Sequence, residues 1–69
     1  MTKIYVNPEV FTRRRLLKGM SQRELARQSN LSNAYISLLE RSIKTVGPAA
    51  AKKLSDVLDI PMEELFYID

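Results

Sequence analysis

The segment SQRELARQSNLSNAYISLLER, from Ser21 to Arg41, constrains the fold more than any other part of the chain. It contains two short helical patterns separated by a break at residues 29–32. Ser21 and Glu24 form a capping box at the start of the first pattern, because each side chain can bond the backbone N–H of the other residue. Asn30 lies in the break, and asparagine tolerates the left-handed backbone conformation that a tight reversal needs.

The spacing of small and apolar residues in this segment fits two helices that touch. Ala26 is small at the position where helices joined by so short a turn approach most closely. Leu31, Ile36 and Leu39 fall where the turn and the second helix face inward. This pattern predicts a helix-turn-helix, in which the amino-terminal part of the second helix can enter a DNA major groove.

Three further short helices are expected around this pair, making one small all-α domain over residues 1–69 with its core at residues 7–66. Their start and stop signals are Asn7 with Pro8, Gly19, Gly47 with Pro48, Leu58 and Pro61. Apolar residues outside the helix-turn-helix are expected in the core or at an interface, including Val10, Phe11, Leu16, Leu17, Met20, Leu54, Leu58, Ile60 and Leu65.

The two ends of the chain have similar chemistry. KIYV at residues 3–6 and LFYI at residues 65–68 favour strands but are too short to be stable alone. They could pair with each other as a ribbon, either could pair across a dimer, or they could fray.

The charge of the chain is unevenly distributed and points to a polyanionic partner on one side. All eleven Lys and Arg residues lie before Leu54 with three acids, a net +8, and five acids with no cation follow, a net −5. Such a basic body is typical of nucleic-acid binding but also occurs in small solvated helical domains. Because Cys and His are absent, a disulfide framework and a Cys/His zinc site are excluded, and neither metal nor cofactor is expected.

The chain resembles the Cro/lambda-repressor-like (XRE-type) helix-turn-helix family from Asn7 to about Phe66. The resemblance rests on RLLKGMSQRELA at residues 15–26, LSNAYISLLER at residues 31–41, and GPAAAKKL with LDIPMEELF at residues 47–54 and 58–66. Leu38 stands where a polar residue is often found, and three further positions depart from the family pattern. Arg14 stands where an apolar residue is usual, and Ser42 and Asp59 stand where glycine is common.

The resemblance implies a set of DNA contacts and one structural ion pair. Base contacts are expected from Gln22, Asn33, Ala34, Tyr35, Ser37 and Leu38. Phosphate contacts are expected from Ser21, Arg23, Ser32, Arg41 and Lys44, with Arg13, Arg14 and Arg27 as further candidates that cannot all face one groove. Arg15 on the first helix is expected to pair with Glu40 at the end of the third, the alternative being two unrelated surface charges.

The function implied is a sequence-specific transcriptional regulator, a repressor of phage or mobile-element type that binds an inverted repeat of double-stranded DNA as a homodimer. The dimer surface is expected at the fifth helix with the terminal segments. A protein-interaction module of the same fold, such as an antitoxin or an anti-repressor, is the alternative. No enzyme is expected, since the chain has no recognisable nucleophile–base set. A cytoplasmic location without a membrane span is expected, in a bacterial or phage-infected cell.

Overall fold

The computed structural model describes residues 2–69, which form five helices and a two-stranded ribbon. The elements follow one another as β1 (Ile4–Val6), α1 (Pro8–Leu17), α2 (Gln22–Ser29), α3 (Asn33–Glu40), α4 (Pro48–Leu58), α5 (Met62–Leu65) and β2 (Phe66–Ile68). The five helices confirm the prediction from start and stop signals. The ribbon confirms one of the alternatives for the chain ends, because β1 and β2 pair with each other.

The first three helices begin where the sequence supplies a capping side chain. Asn7, Ser21 and Ser32 each accept a hydrogen bond from the backbone N–H three residues later, at 3.5, 3.0 and 3.1 Å. Each bond satisfies an N–H group that the first turn of a helix leaves free. The return bond expected from Glu24 to the backbone of Ser21 is not formed, because the Glu24 carboxylate binds side chains within α2 instead.

Three tight reversals use residues other than glycine in the left-handed conformation. Asn30, Ser42 and Asp59 have φ angles of 59°, 55° and 55°. Asn30 thereby confirms the predicted turn between α2 and α3. The conformation costs an ordinary side chain about 1–2 kcal/mol, and hydrogen bonds with other elements hold the reversals at Ser42 and Asp59 in place. The Ser42 hydroxyl, for example, donates to the carbonyl of Val6 at 3.3 Å.

A continuous core lies between the helices and the inner side of the ribbon. Its largest fully buried apolar side chains are Val6, Phe11, Leu25, Ile36, Leu39, Leu54, Leu58 and Leu65. Ala26 is only 4% exposed where α2 packs on α3, which confirms a small residue at that contact. Each large apolar side chain buried in this way stabilises the fold by about 1.5–3 kcal/mol.

Leu16 and Leu17 do not belong to the core, which was one of the two places expected for them, the other being an interface. They are 61% and 69% exposed. Successive residues of a helix are rotated by about 100°, so the residue that shares the inward face of Phe11 is Arg15, four positions later. Arg15 is 8% exposed, and its neighbours in sequence are turned outward. The buried face of α1 was misjudged because a charged residue, Arg15, occupies a position on it where an apolar residue is usual.

Candidate nucleic-acid interface

The α3 helix has a buried side and an open amino-terminal end. Ile36 and Leu39 are fully buried beneath it. Four of the expected base-contacting residues lie on the open side, either exposed or partly exposed: Asn33, Ala34, Ser37 and Leu38. The helix therefore presents short polar side chains and two apolar ones to any ligand. Its position is fixed because Ile36 and Leu39 are buried in the core.

Tyr35 lies between α3 and the loop that leads to α4, with its ring partly buried against the core. Its hydroxyl donates to the carbonyl of Thr45 at 3.3 Å. Burial raises the pKa of this hydroxyl, and a backbone hydrogen bond from Gly47 acts in the opposite direction. The side chain thus ties the start of α3 to the loop that carries Lys44. A contact from this hydroxyl to DNA has to compete with that bond.

A nearly buried ion pair joins α1 to the end of α3. Arg15 Nε contacts Glu40 Oε1 directly, and Arg15 Nη2 lies 3.4 Å from Oε2. Each of the two side chains is 10% exposed. Arg15 Nη1 donates to the carbonyl of Met20 at 2.7 Å, so the guanidinium is bonded on both sides. The two-pronged contact uses the fork geometry that distinguishes arginine from lysine.

Gln22 extends this network to the start of α2. Its Nε2 donates to Glu40 Oε2 at 2.8 Å, and its side chain is partly buried. Because one amide N–H is bound to the carboxylate, the Oε1 acceptor and the second N–H remain for a ligand. One carboxylate therefore fixes the ion pair and also orients the amide of an expected base-contacting residue.

Two of the cations considered as phosphate contacts are engaged elsewhere. Arg14 Nε and Nη2 donate to the carbonyls of Leu58 and Asp59, at 3.0 and 2.7 Å, at the carboxyl end of α4. Arg27 is bonded to Glu24, one turn earlier in α2. That contact lowers the pKa of the Glu24 carboxyl to about 2 and raises the pKa of the Arg27 guanidinium.

The other four cations considered as phosphate contacts are exposed and make no ion pair within residues 2–69: Arg13, Arg23, Arg41 and Lys44. Arg23 and Arg41 follow the start of α2 and the end of α3, and Lys44 follows in the next loop. The capping residues Ser21 and Ser32 are exposed at two helix starts, where backbone N–H groups attract anions. Three of these cations and both helix starts thus lie in or directly after the helix-turn-helix, where they can contact a phosphate backbone, whereas Arg13 lies on α1.

The bond between Arg14 and Asp59 was missed from the sequence, although a signal for it was present. Both residues depart from the family pattern, and the structure brings the two departures into contact. A non-glycine residue in the left-handed conformation at the end of α4 is held there by an arginine from α1.

Within residues 2–69, no three side chains of the metal-binding types come together, and no helix has the length and apolar character to cross a membrane. The start of α3 presents amide, hydroxyl and methyl groups, and exposed cations flank it. Such a surface suits the edges of base pairs between two phosphate strands.

Comparison with known proteins agrees with this geometry. The helix-turn-helix family model HTH_3 matches residues 12–65, while no curated protein has a significantly similar sequence. The restriction-modification controller protein C.AhdI from Aeromonas hydrophila is 33% identical, with a TM-score of 0.77 over 83% of this chain and 86% of that chain. SinR, a master regulator for biofilm formation solved in complex with DNA, is 30% identical, with a TM-score of 0.75 over 81% of this chain and 90% of that chain.

A third similar structure is the hypothetical transcription factor NHTF from Neisseria, which is 30% identical with a TM-score of 0.78. The match covers 83% of this chain and 64% of that one, so the chain spans less than two thirds of the Neisseria protein. The family match includes α2 and α3 together with most of α1 and all of α4. This chain belongs to the XRE-type helix-turn-helix family of DNA-binding transcription regulators and has the lambda-repressor-like fold of that family.

Proposed function

We propose that the protein is a sequence-specific repressor that binds duplex DNA with α3 in the major groove. The observation that carries this proposal is the open amino-terminal end of α3, held outward by the buried Ile36 and Leu39. Helix-turn-helix proteins read base edges with this part of their second helix. The DNA in the SinR structure supports the same class of partner.

Base reading is assigned to Gln22, Asn33, Ala34, Tyr35, Ser37 and Leu38. The exposed Asn33 amide can donate to N7 and accept from N6 of one adenine, a pairing that discriminates against other bases by about 1–3 kcal/mol. The Ala34 methyl can pack on the methyl group of thymine. Because α3, with the sequence NAYISLLE, contains neither Arg nor Lys, it has no fork for guanine. Half-sites that contain A·T pairs are therefore expected.

Gln22 is assigned to a base rather than to a phosphate. Its amide is bonded to the carboxylate of Glu40, and a phosphate brought against that amide would approach an acidic group. The free Oε1 can instead accept from the amino group of adenine or cytosine in the major groove. In this proposal Glu40 acts on specificity through the orientation of Gln22.

Phosphate anchoring is assigned to Ser21, Arg23, Ser32, Arg41 and Lys44. The three cations are exposed, and the two serines stand at helix starts. Each neutralised phosphate releases counterions, so binding should weaken steeply as salt rises, with a slope of about 0.9 per contact on a double-logarithmic plot. Tyr35 is bonded to the carbonyl of Thr45, and this bond holds the backbone of the α3–α4 loop next to Lys44 in place.

The complex is proposed to be a homodimer on an inverted repeat. Successive major grooves on one side of DNA are about 34 Å apart, and the longest dimension of the protein is 34 Å. Two copies can therefore occupy neighbouring grooves and still touch. Repression would follow from occupation of a promoter, in the manner of a small phage or mobile-element regulator, and would place the protein with the nucleoid in the cytoplasm.

Selection of bound duplexes from a random pool tests this function. The expected product is an inverted repeat with A·T pairs in each half and half-sites about one helical turn apart. Affinity for the selected duplex should fall with salt, whereas a scrambled duplex of the same length should bind much more weakly throughout. Failure to enrich any sequence, even at low salt, would reject the proposal.

The second candidate is a protein-interaction module with little affinity for DNA. It is favoured by the exposed apolar residues of β2, Tyr67 and Ile68, which are 50% and 68% exposed. It also fits the acidic end of the chain, which has no cation after Lys53. The two candidates differ in one readout, because only the repressor binds any duplex at low salt.

A further inference from the structure

The outer edge of β2 is an open strand edge within residues 2–69. On one side β1 pairs with β2, and on its other side Ile4 bridges to Val46, so β1 is covered on both edges. Within residues 2–69 nothing pairs with the outer edge of β2. This strand, FYI, contains no proline or lysine, the residues that proteins use to block an open edge.

The hydrogen bonds of the ribbon show which backbone groups face outward. Asn7 N–H donates to the carbonyl of Leu65 and Asp69 N–H donates to that of Lys3, both at 2.9 Å. Antiparallel partners alternate between bonded and non-bonded pairs, so the backbone groups of Tyr67 also face β1. Those of the residues on either side of Tyr67 face away from it.

Three outward groups remain available for a further strand. The N–H of Phe66 is already bonded to the carbonyl of Met62 in α5. The carbonyl of Phe66 and both backbone groups of Ile68 are left. This set contains one donor and two acceptors. If a second copy of the same edge is turned through 180°, the donor of each copy can bond an acceptor of the other.

We propose that two copies of this protein pair through their β2 edges, antiparallel about a two-fold axis, and that this contact forms the dimer on which the proposed function rests. Tyr67 lies opposite Tyr67 of the second copy. In this register each Ile68 N–H donates to the Phe66 carbonyl of the other copy. The alternative register, with Ile68 opposite Ile68, overlaps only the ends of the two strands.

Side chains favour the same register. Residues directly opposite in neighbouring strands share one face of a sheet, so Ile68 of the second copy projects on the same side as Phe66. There, a depression of about 260 Å³ is lined by Ile4, Met62, Glu63, Phe66 and Ile68. Four of these five residues are apolar. The two-fold thus inserts an exposed isoleucine of each copy into an apolar hollow of the other.

The opposite face of the ribbon also continues across the axis. Tyr5 and Tyr67 stack with ring centroids 5.6 Å apart and an interplanar angle of 20°. In the proposed register Tyr67 and Tyr67 of the second copy are a pair without backbone hydrogen bonds, and side chains of such pairs lie close together. Two stacked rings from each copy then form one row of four rings.

Because so short a strand buries much less than the roughly 1,200 Å² of a stable interface, the free dimer is weak. Two adjacent half-sites on one duplex raise its effective concentration.

A second exposed apolar surface is the outer face of α1. Leu16 and Leu17 are exposed there, beside an open depression of about 650 Å³. Arg13 and Glu9 also line this depression, and nothing in it is self-complementary in the way that the β2 edge is. The outer face of α1 is therefore the alternative dimer surface that the experiment compares with the β2 edge.

The test measures dimerisation of the full chain without DNA, by sedimentation equilibrium over a range of concentrations. Ile68→Pro removes the one outward donor and leaves the bonds between β1 and β2 intact, because proline is tolerated on an edge whose N–H faces solvent. We expect the dimer dissociation constant to rise at least about tenfold, from the loss of two hydrogen bonds per dimer. Ile68→Thr keeps both the N–H and the branched shape, and should change the constant less than Ile68→Pro.

A second variant keeps the test decisive if Ile68→Pro unfolds, which circular dichroism would reveal. Glu63 lines the depression and therefore approaches the acidic end of the other copy. Glu63→Gln removes this repulsion and should tighten the dimer at low salt, with a smaller gain at high salt. Amide exchange provides a third readout, since the Ile68 N–H should become protected as concentration rises.

Several results would overturn the proposal. One is an unchanged dissociation constant in folded Ile68→Pro. A second is loss of the dimer in a Leu16→Ser, Leu17→Ser double variant but not in Ile68→Pro. A third is a wild-type chain that stays monomeric and binds both halves of a selected repeat without cooperativity. Failure of the DNA-binding proposal would look different, because no duplex would be enriched while dimerisation without DNA still responded to Ile68→Pro.

Discussion

Glu40 is the residue that links the fold to the proposed recognition surface. Its carboxylate binds Arg15 from α1 and Gln22 from α2, so three helices share one acceptor. The resemblance to the family was enough to expect the pair with Arg15. The bond to Gln22 depends on two side-chain conformations in a partly buried space, which no residue pattern encodes. The ion pair was therefore predictable from the sequence, whereas the bond from Gln22 was visible only in the packed structure.

Removal of this carboxylate should be expensive. In Glu40→Ala, Arg15 stays in a site where its side chain is only 10% exposed, without its ionic partner. We expect a loss of about 3–5 kcal/mol in the free energy of unfolding, measured by urea denaturation. The matched control is the double variant Arg15→Met, Glu40→Leu, in which no charge remains and much of the stability should return. Equal losses in both variants would mean that the charge pair is not the cause.

At the scale of whole elements, helix boundaries followed the sequence closely, whereas the faces of α1 did not. Caps and prolines act locally, so Asn7, Ser21 and Ser32 mark helix starts without knowledge of the rest of the fold. The face that a helix buries depends on its neighbours. In α1 the inward position is occupied by Arg15, which is paired with Glu40, rather than by the apolar residue that normally marks a buried face.

The attachment of α1 to the end of α4 leads to a prediction about Arg14. Arg14→Met removes two hydrogen bonds to the last carbonyls of α4, and should lower the free energy of unfolding by about 1–2 kcal/mol. Arg13→Met is the matched control, because it removes the same charge from the exposed neighbour and should change stability by no more than about 0.5 kcal/mol. Equal losses from the two variants in thermal or urea denaturation would contradict this role.

The α2 helix should contribute to acid sensitivity through Glu24. Its folded-state pKa of about 2 lies below the ordinary 4.5, chiefly because Arg27 donates to the carboxylate. The ionised carboxyl therefore stabilises the fold above about pH 4.5, and that contribution is lost as the pH falls toward 2. Comparison of wild type with Glu24→Gln should show a difference in unfolding free energy that shrinks over this range and shrinks with added salt. A difference independent of pH would be inconsistent with the ion pair.

At the scale of the molecule, charge is unevenly distributed over the fold. Arg23, Arg41 and Lys44 are exposed in or directly after the helix-turn-helix, while the five acids after Leu54 lie in or after α4. The sequence alone indicated this distribution and the family. It did not reveal the outward backbone groups of β2, because strand pairing is set by the register of a completed ribbon. Salt should accordingly weaken DNA binding and strengthen dimerisation.

The central claim is that α3 reads bases through its exposed start, and duplex selection with three proteins tests it most directly. Wild type, Asn33→Ala and Lys44→Met are each challenged with the same random pool. Asn33→Ala should lose preference at one position per half-site, with about 5- to 150-fold weaker binding of the wild-type sequence for each half-site and an unchanged salt slope. Lys44→Met should keep every preference, weaken all sequences alike and reduce the slope by about one for each half-site. Uniform weakening by Asn33→Ala, with every base preference retained, would contradict the account.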